Sequence, residues 1–159
     1  MGLDQFLYAE KYYSTYTNNK DNSETLNKLI ETADAVDFVD VDMPTAIIRV
    51  KVAQWRKANQ IHKWFVDVCQ NGEDDCRDAY VALELLYSLK EMCALVLAEP
   101  TQLAEPTLAM TLLPVYEGFF FGGNEYDEWY FEQLKDVIIV IDKIGKMGDE
   151  WSFVYSSSW

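Results

Sequence analysis

Four groups of residues in this 159-residue chain are of types that can do chemistry. His62 is the sole histidine, and Asp74-Asp75-Cys76 follows it at short range. An imidazole beside a carboxylate can serve as a general base, and a nearby thiol can be its nucleophile. No nucleophile motif surrounds Cys76, however, and no second catalytic base is evident. The plainer reading of a lone histidine is a structural hydrogen-bonder. Asp74 and Asp75 alone offer too few oxygens for a divalent ion, and Cys69, Cys76 and Cys93 lack zinc spacing. The residues therefore point away from catalysis, and neither a metal nor a cofactor is expected.

The second group is cationic. Between Asp42 and Asp67 the chain carries Arg49, Lys51, Arg56, Lys57 and Lys63 and no acidic residue. That stretch is +5 in a chain of net charge −14, which leaves the remainder at −19, eight basic residues against 27 acidic. A cationic island in acidic surroundings favours a small anion over a long polyanion, which those surroundings repel. The alternative is that carboxylates from elsewhere pack on the island and neutralise it.

The third group is the loop Gly118-Phe119-Phe120-Phe121-Gly122-Gly123, followed by Tyr126, Trp129 and Tyr130. It lacks the Gly-Lys-Ser/Thr of a phosphate-binding P-loop. Rings on a glycine-flanked loop can stack on a base, or they can plug the core. The fourth group is a helical stripe of Trp55, Asn59, His62 and Val66, more polar and aromatic than simple packing requires.

The elements that position these groups follow from periodicity. Leu3–Thr17 reads as a strand, and Ser23 as the cap of a helix from Glu24 to about Ala35. Ala46–Val52 alternates, with Ile48, Val50 and Val52 on one face and Arg49 and Lys51 on the other. From Ala53 to Gln70 the period becomes helical, with Ala58, Ile61, Phe65 and Val68 inward, and Asn71-Gly72 stops it. Asp78 can cap a helix to about Ala98, with Val81, Leu85, Leu89, Met92, Cys93 and Val96 inward. Pro100 and Pro106 bracket a loop, and Leu108–Leu113 forms a short apolar piece. Asn124 can cap a helix to about Gly145, with Glu125, Asp127 and Glu128 in its first turn and Leu134, Val137, Ile138, Ile141 and Ile144 as its core stripe. Trp151–Tyr155 reads as a last strand and Ser156–Trp159 as a tail. The sum is an α+β single domain over residues 1–159, a small, mainly antiparallel sheet packed against three to four helices.

Length and composition fit one self-sufficient core. No apolar run approaches a membrane span, and Met1-Gly2-Leu3-Asp4 shows neither a signal-peptide pattern nor the downstream hydroxyl of a myristoylation site. Three cysteines without a secretory signal fit reduced thiols in a cytosol.

Several of these stretches resemble a known group. Trp55–Val66, Asp74-Asp75-Cys76, Leu113-Pro114, Gly118–Gly122 and Glu125–Tyr130 resemble small uncharacterised proteins of tailed phages and their prophages. Met1–Asp4 and Ser157-Ser158-Trp159 are similar too, so the resemblance spans nearly the whole chain. Members carry a small hydroxyl residue near Asn124 and a glycine or polar residue near Arg77. This chain departs at both, and Arg77 bears on where the third helix begins. The resemblance implies a phage accessory protein acting in the host cytoplasm and supplies no mechanism.

Two functional expectations follow. In the first, a counter-defence protein sequesters a small anionic, nucleotide-like ligand without catalysis. Arg49, Lys51, Arg56, Lys57, Asn59, His62 and Lys63 hold it, while Phe119, Phe120 and Phe121 with Trp55 or Trp129 stack on it. In the second, the acidic remainder imitates DNA and blocks a host or defence protein. Direct nucleic-acid binding and a membrane partner are not expected, and a homo-oligomer stays compatible with both. An enzyme using His62 with Asp74 or Asp75 ranks behind them.

Overall fold

The computed structural model describes residues 2–15, 20–99 and 105–159. Four antiparallel strands, β1 (Asp4–Ser14), β2 (Thr45–Arg56), β3 (Ala79–Val81) and β4 (Trp151–Ser158), form one sheet in the order β2-β1-β4-β3. Five α-helices accompany it among the described residues: α1 (Lys20–Thr32), α2 (Asn59–Cys69), α3 (Leu83–Leu97), α4 (Thr107–Leu112) and α5 (Glu128–Ile144). The α+β expectation holds. No helix among the described residues is long and apolar enough to cross a membrane.

The sheet has one dry face and one wet face. In β1, Gln5, Leu7 and Ala9 are buried while Phe6 and Tyr8 are only half-buried, the alternation a one-sided sheet imposes. Leu7 and Ala9 join Ala53 and Trp55 of β2, Val81 of β3 and Phe153 and Tyr155 of β4 in the core. The helices α2, α3 and α5 supply the other half through Ile61, Phe65, Leu89, Cys93, Leu134, Val137 and Ile141. The Phe65 and Tyr155 rings stack across that interface, 3.9 Å apart and 8° from parallel.

Pairing with β1 changes several sequence expectations. Asp4 opposes Arg56 and Leu7 opposes Ala53, so β2 continues through the stretch that read as helical. Trp55 is therefore a strand residue, and the stripe with Asn59 and His62 is not one helix face. The register shifts between Leu7 and Tyr8, a β-bulge, so that Val52 and Ala53 do not alternate with Val50 as a regular strand would. Strand β3 occupies the start expected for the third helix, which begins at Leu83; Leu86 rather than Leu85 then faces inward. Helix α1 starts at Lys20 instead of Glu24, which puts Ser23 inside it. Residues 16–19, the end of the expected first strand and the start of the polar loop, lie outside the described residues, as do residues 100–104. Strand β4 runs on through Ser158, taking up most of the expected tail.

Helix α5 is capped by Asp127, not Asn124: the Asp127 side chain accepts from the Tyr130 amide at 2.9 Å. Asn124 and Glu125 thus belong to the preceding loop, and only Glu128 of the expected acids sits in the first turn. The stripe of α5 runs Tyr130, Leu134, Val137, Ile141 and Ile144, all buried at helical spacing.

Candidate ligand cleft

Three distant segments meet where β2 turns into α2. Lys57 makes the turn in the left-handed region (φ 57°), a conformation that costs a non-glycine residue about 1–3 kcal/mol. Its amide donates to the Leu3 carbonyl (2.8 Å), and the Leu3 amide donates to the Phe120 carbonyl (3.1 Å). The start of β1 is thereby threaded between the β2–α2 turn and the phenylalanine loop. Gly122 packs so closely on Lys57 that a Cβ there would lie 2.9 Å from the Lys57 Cβ, and its φ of +103° also requires glycine.

Asn59, buried at the start of α2, fastens the loop. Its amide nitrogen donates to the Gly123 carbonyl (2.8 Å) and, more weakly, to that of Phe121 (3.4 Å); its oxygen accepts from the Tyr116 amide (3.0 Å). Phe121 turns inward at 6% exposure, edge-on to His62 (5.2 Å, 88°) and against Tyr116 and Trp159. Phe119 turns outward at 96% exposure, with Phe120 edge-to-face against it at 4.8 Å. The loop is therefore both plug and platform, divided by residue.

Outward of the loop lies a cleft of about 440 Å³. Phe119, Phe120 and the 64%-exposed Trp129 supply its rings. Its polar lining consists of Asn59, Gln60 and Gln133, all buried, together with Lys57, Glu125 and Asp127. Gln60 donates to the Gln133 side-chain oxygen (2.9 Å), and Gln133 donates to the Arg56 carbonyl (3.4 Å), so the amides are held across α2 and α5. Sequence reasoning missed Gln60, Gln133, Glu125 and Asp127 as lining residues. Only two buried-side glutamines at helical positions hinted at them.

The structure distributes the other expected site residues around the fold. Arg49 and Lys51 lie on the wet face of the sheet, over the Tyr8 ring (5.0 Å) and the Phe6 ring (4.9 Å). Arg49 is also paired with Glu10 and with Asp78 (2.7 Å), which holds its guanidinium fully charged. Trp55 is in the core. Arg56 is exposed, 4.0 Å from Asp4, and sits beside the cleft without lining it. Lys63 pairs with Asp67 (2.6 Å) on the surface of α2. Of the cationic island, Lys57 alone lines the cleft.

His62 is 0% exposed and away from the cleft. Burial pushes its pKa below the ordinary value, and the bond to Asp74 offsets only part of this. The neutral ring then donates from Nε2 to Asp74 (3.0 Å) and accepts at Nδ1 from the Tyr155 hydroxyl (2.7 Å), which burial keeps protonated. The imidazole–carboxylate pair foreseen in the sequence thus exists. Both ring nitrogens are engaged within the fold, so it has no nitrogen free for Cys76 or a substrate.

Comparison with family models, characterised proteins and solved structures gives no match. The functional reading rests on the geometry.

Proposed function

We propose that this chain is a non-catalytic binding protein whose outer cleft takes a small ligand of nucleobase type. The observation that carries the reading is the pairing of solvent-facing rings, Phe119 and Trp129, with an amide lining of Gln60 and Gln133, each of which keeps an N–H outside its bond within the fold. Stacking on an aromatic platform contributes about 1–3 kcal/mol per base. Side-chain amides match the donor and acceptor pattern of a base edge, and carboxylates such as Glu125 and Asp127 accept from exocyclic amines or ribose hydroxyls. With Lys57 as the one cation among the described residues in the lining, and Arg56 beside it, the ligand carries few phosphates rather than a polyanionic chain. Set beside the resemblance to small tailed-phage proteins, the role this capture would serve is sequestration of a nucleotide signal of host defence.

The test is calorimetry of the purified chain against nucleosides, mononucleotides, cyclic dinucleotides and ADP-ribose. Binding of base-bearing members, none of ribose 5-phosphate, and loss on Phe119→Ala or Trp129→Ala is expected. Lys57→Met should weaken phosphorylated ligands and spare nucleosides. Absence of heat with every member of the panel refutes the proposal.

A second reading, that the chain blocks another protein, draws on a different place. Between Lys28 and Arg49 the chain has five acidic residues (Glu31, Asp34, Asp37, Asp40 and Asp42) and no basic one. There Phe38 is 83% exposed, Val41 is exposed between Asp40 and Asp42, and Met43 is exposed just after them. Apolar side chains set among carboxylates suit an apolar groove with a basic rim, which an imitation of DNA by charge alone does not explain. Under this reading, pull-down of a host protein is lost with Phe38→Ala as well as with charge reversal at Asp37, Asp40 and Asp42. Retention by the Phe38 variant counts against it.

A further inference from the structure

Next to the cleft, sharing Phe119 and Phe120 with it, is a second pocket of about 400 Å³. Its lining combines the rings of Tyr116, Phe119, Phe121 and Trp159 with the carboxylates of Asp74 and Glu117, and no lysine or arginine among the described residues lines it. The rings are inclined, not stacked: Phe121 meets Trp159 at 71° (5.8 Å) and Tyr116 at 48° (5.3 Å). The rings bound the hollow without stacking flat on one another, and the face of an aromatic ring is its negative side.

Asp74 supplies the second observation. Its side chain is 12% exposed, yet its oxygens bond only to neutral donors, His62 Nε2 and the Trp159 indole N–H, each at 3.0 Å. No lysine or arginine among the described residues comes within ion-pair distance of it. A mostly buried carboxylate without a counter-charge, at the wall of an aromatic hollow, favours a cation beside it. The fold already uses the same interaction next door. The Lys63 ammonium sits over the Tyr116 ring at 5.4 Å, but Lys63 does not line the pocket and its charge is matched by Asp67.

The geometry points to an aromatic cage for an organic cation, an alkylated ammonium group held by the rings of Tyr116, Phe121 and Trp159 and by the charge of Asp74 and Glu117. The volume lies within the range of small-ligand sites, about 300–1,000 Å³. The net charge of −14 also draws cations toward the molecule. An inorganic ion would gain little from the rings, whereas a quaternary ammonium gives up little hydration on entering them.

The test uses the full chain and two probes of one shape, choline and its uncharged carbon isostere 3,3-dimethyl-1-butanol. The Trp159 indole resonance is followed by NMR. Choline is expected to shift it saturably, with the isostere weaker by about tenfold, the ratio a desolvated cation–π contact provides. Glu117→Gln, at an exposed position, should weaken choline severalfold and leave the isostere unchanged. Asp74→Asn should do the same if it folds, and Glu117→Gln carries the test if it does not. Equal affinity for the two probes, no saturable shift, or choline binding indifferent to Glu117→Gln overturns the proposal.

Discussion

Replacing Asn59 with alanine tests whether the loop is held by the clamp described above. The substitution removes two well-formed hydrogen bonds, to Gly123 (2.8 Å) and from Tyr116 (3.0 Å), and a long one to Phe121 (3.4 Å). At about 0.5–1.5 kcal/mol net for each good bond, the loss is about 1–3 kcal/mol. For a chain of this size each kcal/mol lowers the melting temperature by about 2–4 °C, so a fall of about 2–12 °C is expected by circular dichroism. Amide exchange should rise at Tyr116 and across residues 118–123 before it rises in α5. Asn59→Asp sharpens the test. It keeps an acceptor for the Tyr116 amide but points a charged oxygen at the Gly123 carbonyl, so its carboxyl should titrate above the ordinary range. A group that binds its proton more tightly in the fold is stabilising when protonated, and the deficit of this variant relative to the parent should therefore shrink as pH falls. An Asn59→Ala protein that melts within about 1 °C of the parent, with unchanged exchange in the loop, would refute the clamp.

Phe121→Ala should cost about 3–5 kcal/mol by opening a cavity beside His62, whereas Phe119→Ala should stay within about 0.5 kcal/mol in a denaturant titration, since its ring touches little but Phe120. His62 gives a pH dependence of defined sign. Its folded pKa lies below the unfolded value of about 6.5, so the stability it confers is full above that pH and is lost as pH falls toward the folded pKa. Urea midpoints between pH 7 and pH 5 should show this slope, and His62→Gln should flatten it. Burial pushes the thiols of Cys69 and Cys93 up to about 11 and about 12, so a thiol reagent at neutral pH should count one fast cysteine, Cys76; three fast thiols would contradict that burial.

Local pattern revealed what local physics decides. The α5 stripe and the Arg49/Lys51 alternation are visible because one helix face or one strand face is enough to produce them. The extension of β2 to Arg56 was hidden because Trp55, Asn59, His62 and Val66 fall at helical spacing, and only pairing with Asp4–Leu7 overrides it. The cap of α5 was hidden for a related reason. Asn124 and Asp127 are equally good caps in isolation, and the loop fixed by Asn59 and Gly122 delays the helix to the second. Convergence of the cationic island failed on strand parity. Alternation sends Arg49 and Lys51 to the wet face, while α2 packs on the dry one, so no loop could gather all five charges.

The same loop explains why three phenylalanines stand in a row. Phe121 is held in the core, and Phe119 and Phe120 line both the outer cleft and the cation pocket, forming a partition between them. A ligand in either compartment restricts the same two rings, and the ordering cost is then already met when the other compartment fills. Choline at saturation should accordingly tighten binding of a nucleoside in the cleft, and the nucleoside should tighten choline by the same factor, as linkage requires. A coupling of about 1 kcal/mol would appear as roughly a fivefold shift in calorimetric affinity. Phe119→Ala should weaken the coupling even where residual binding to each compartment survives, because it removes one of the two shared rings and leaves Trp129, Trp159 and Asp74 in place. Two affinities that stay independent in the parent protein would mean that the partition is rigid, with Phe119 already fixed before either ligand arrives.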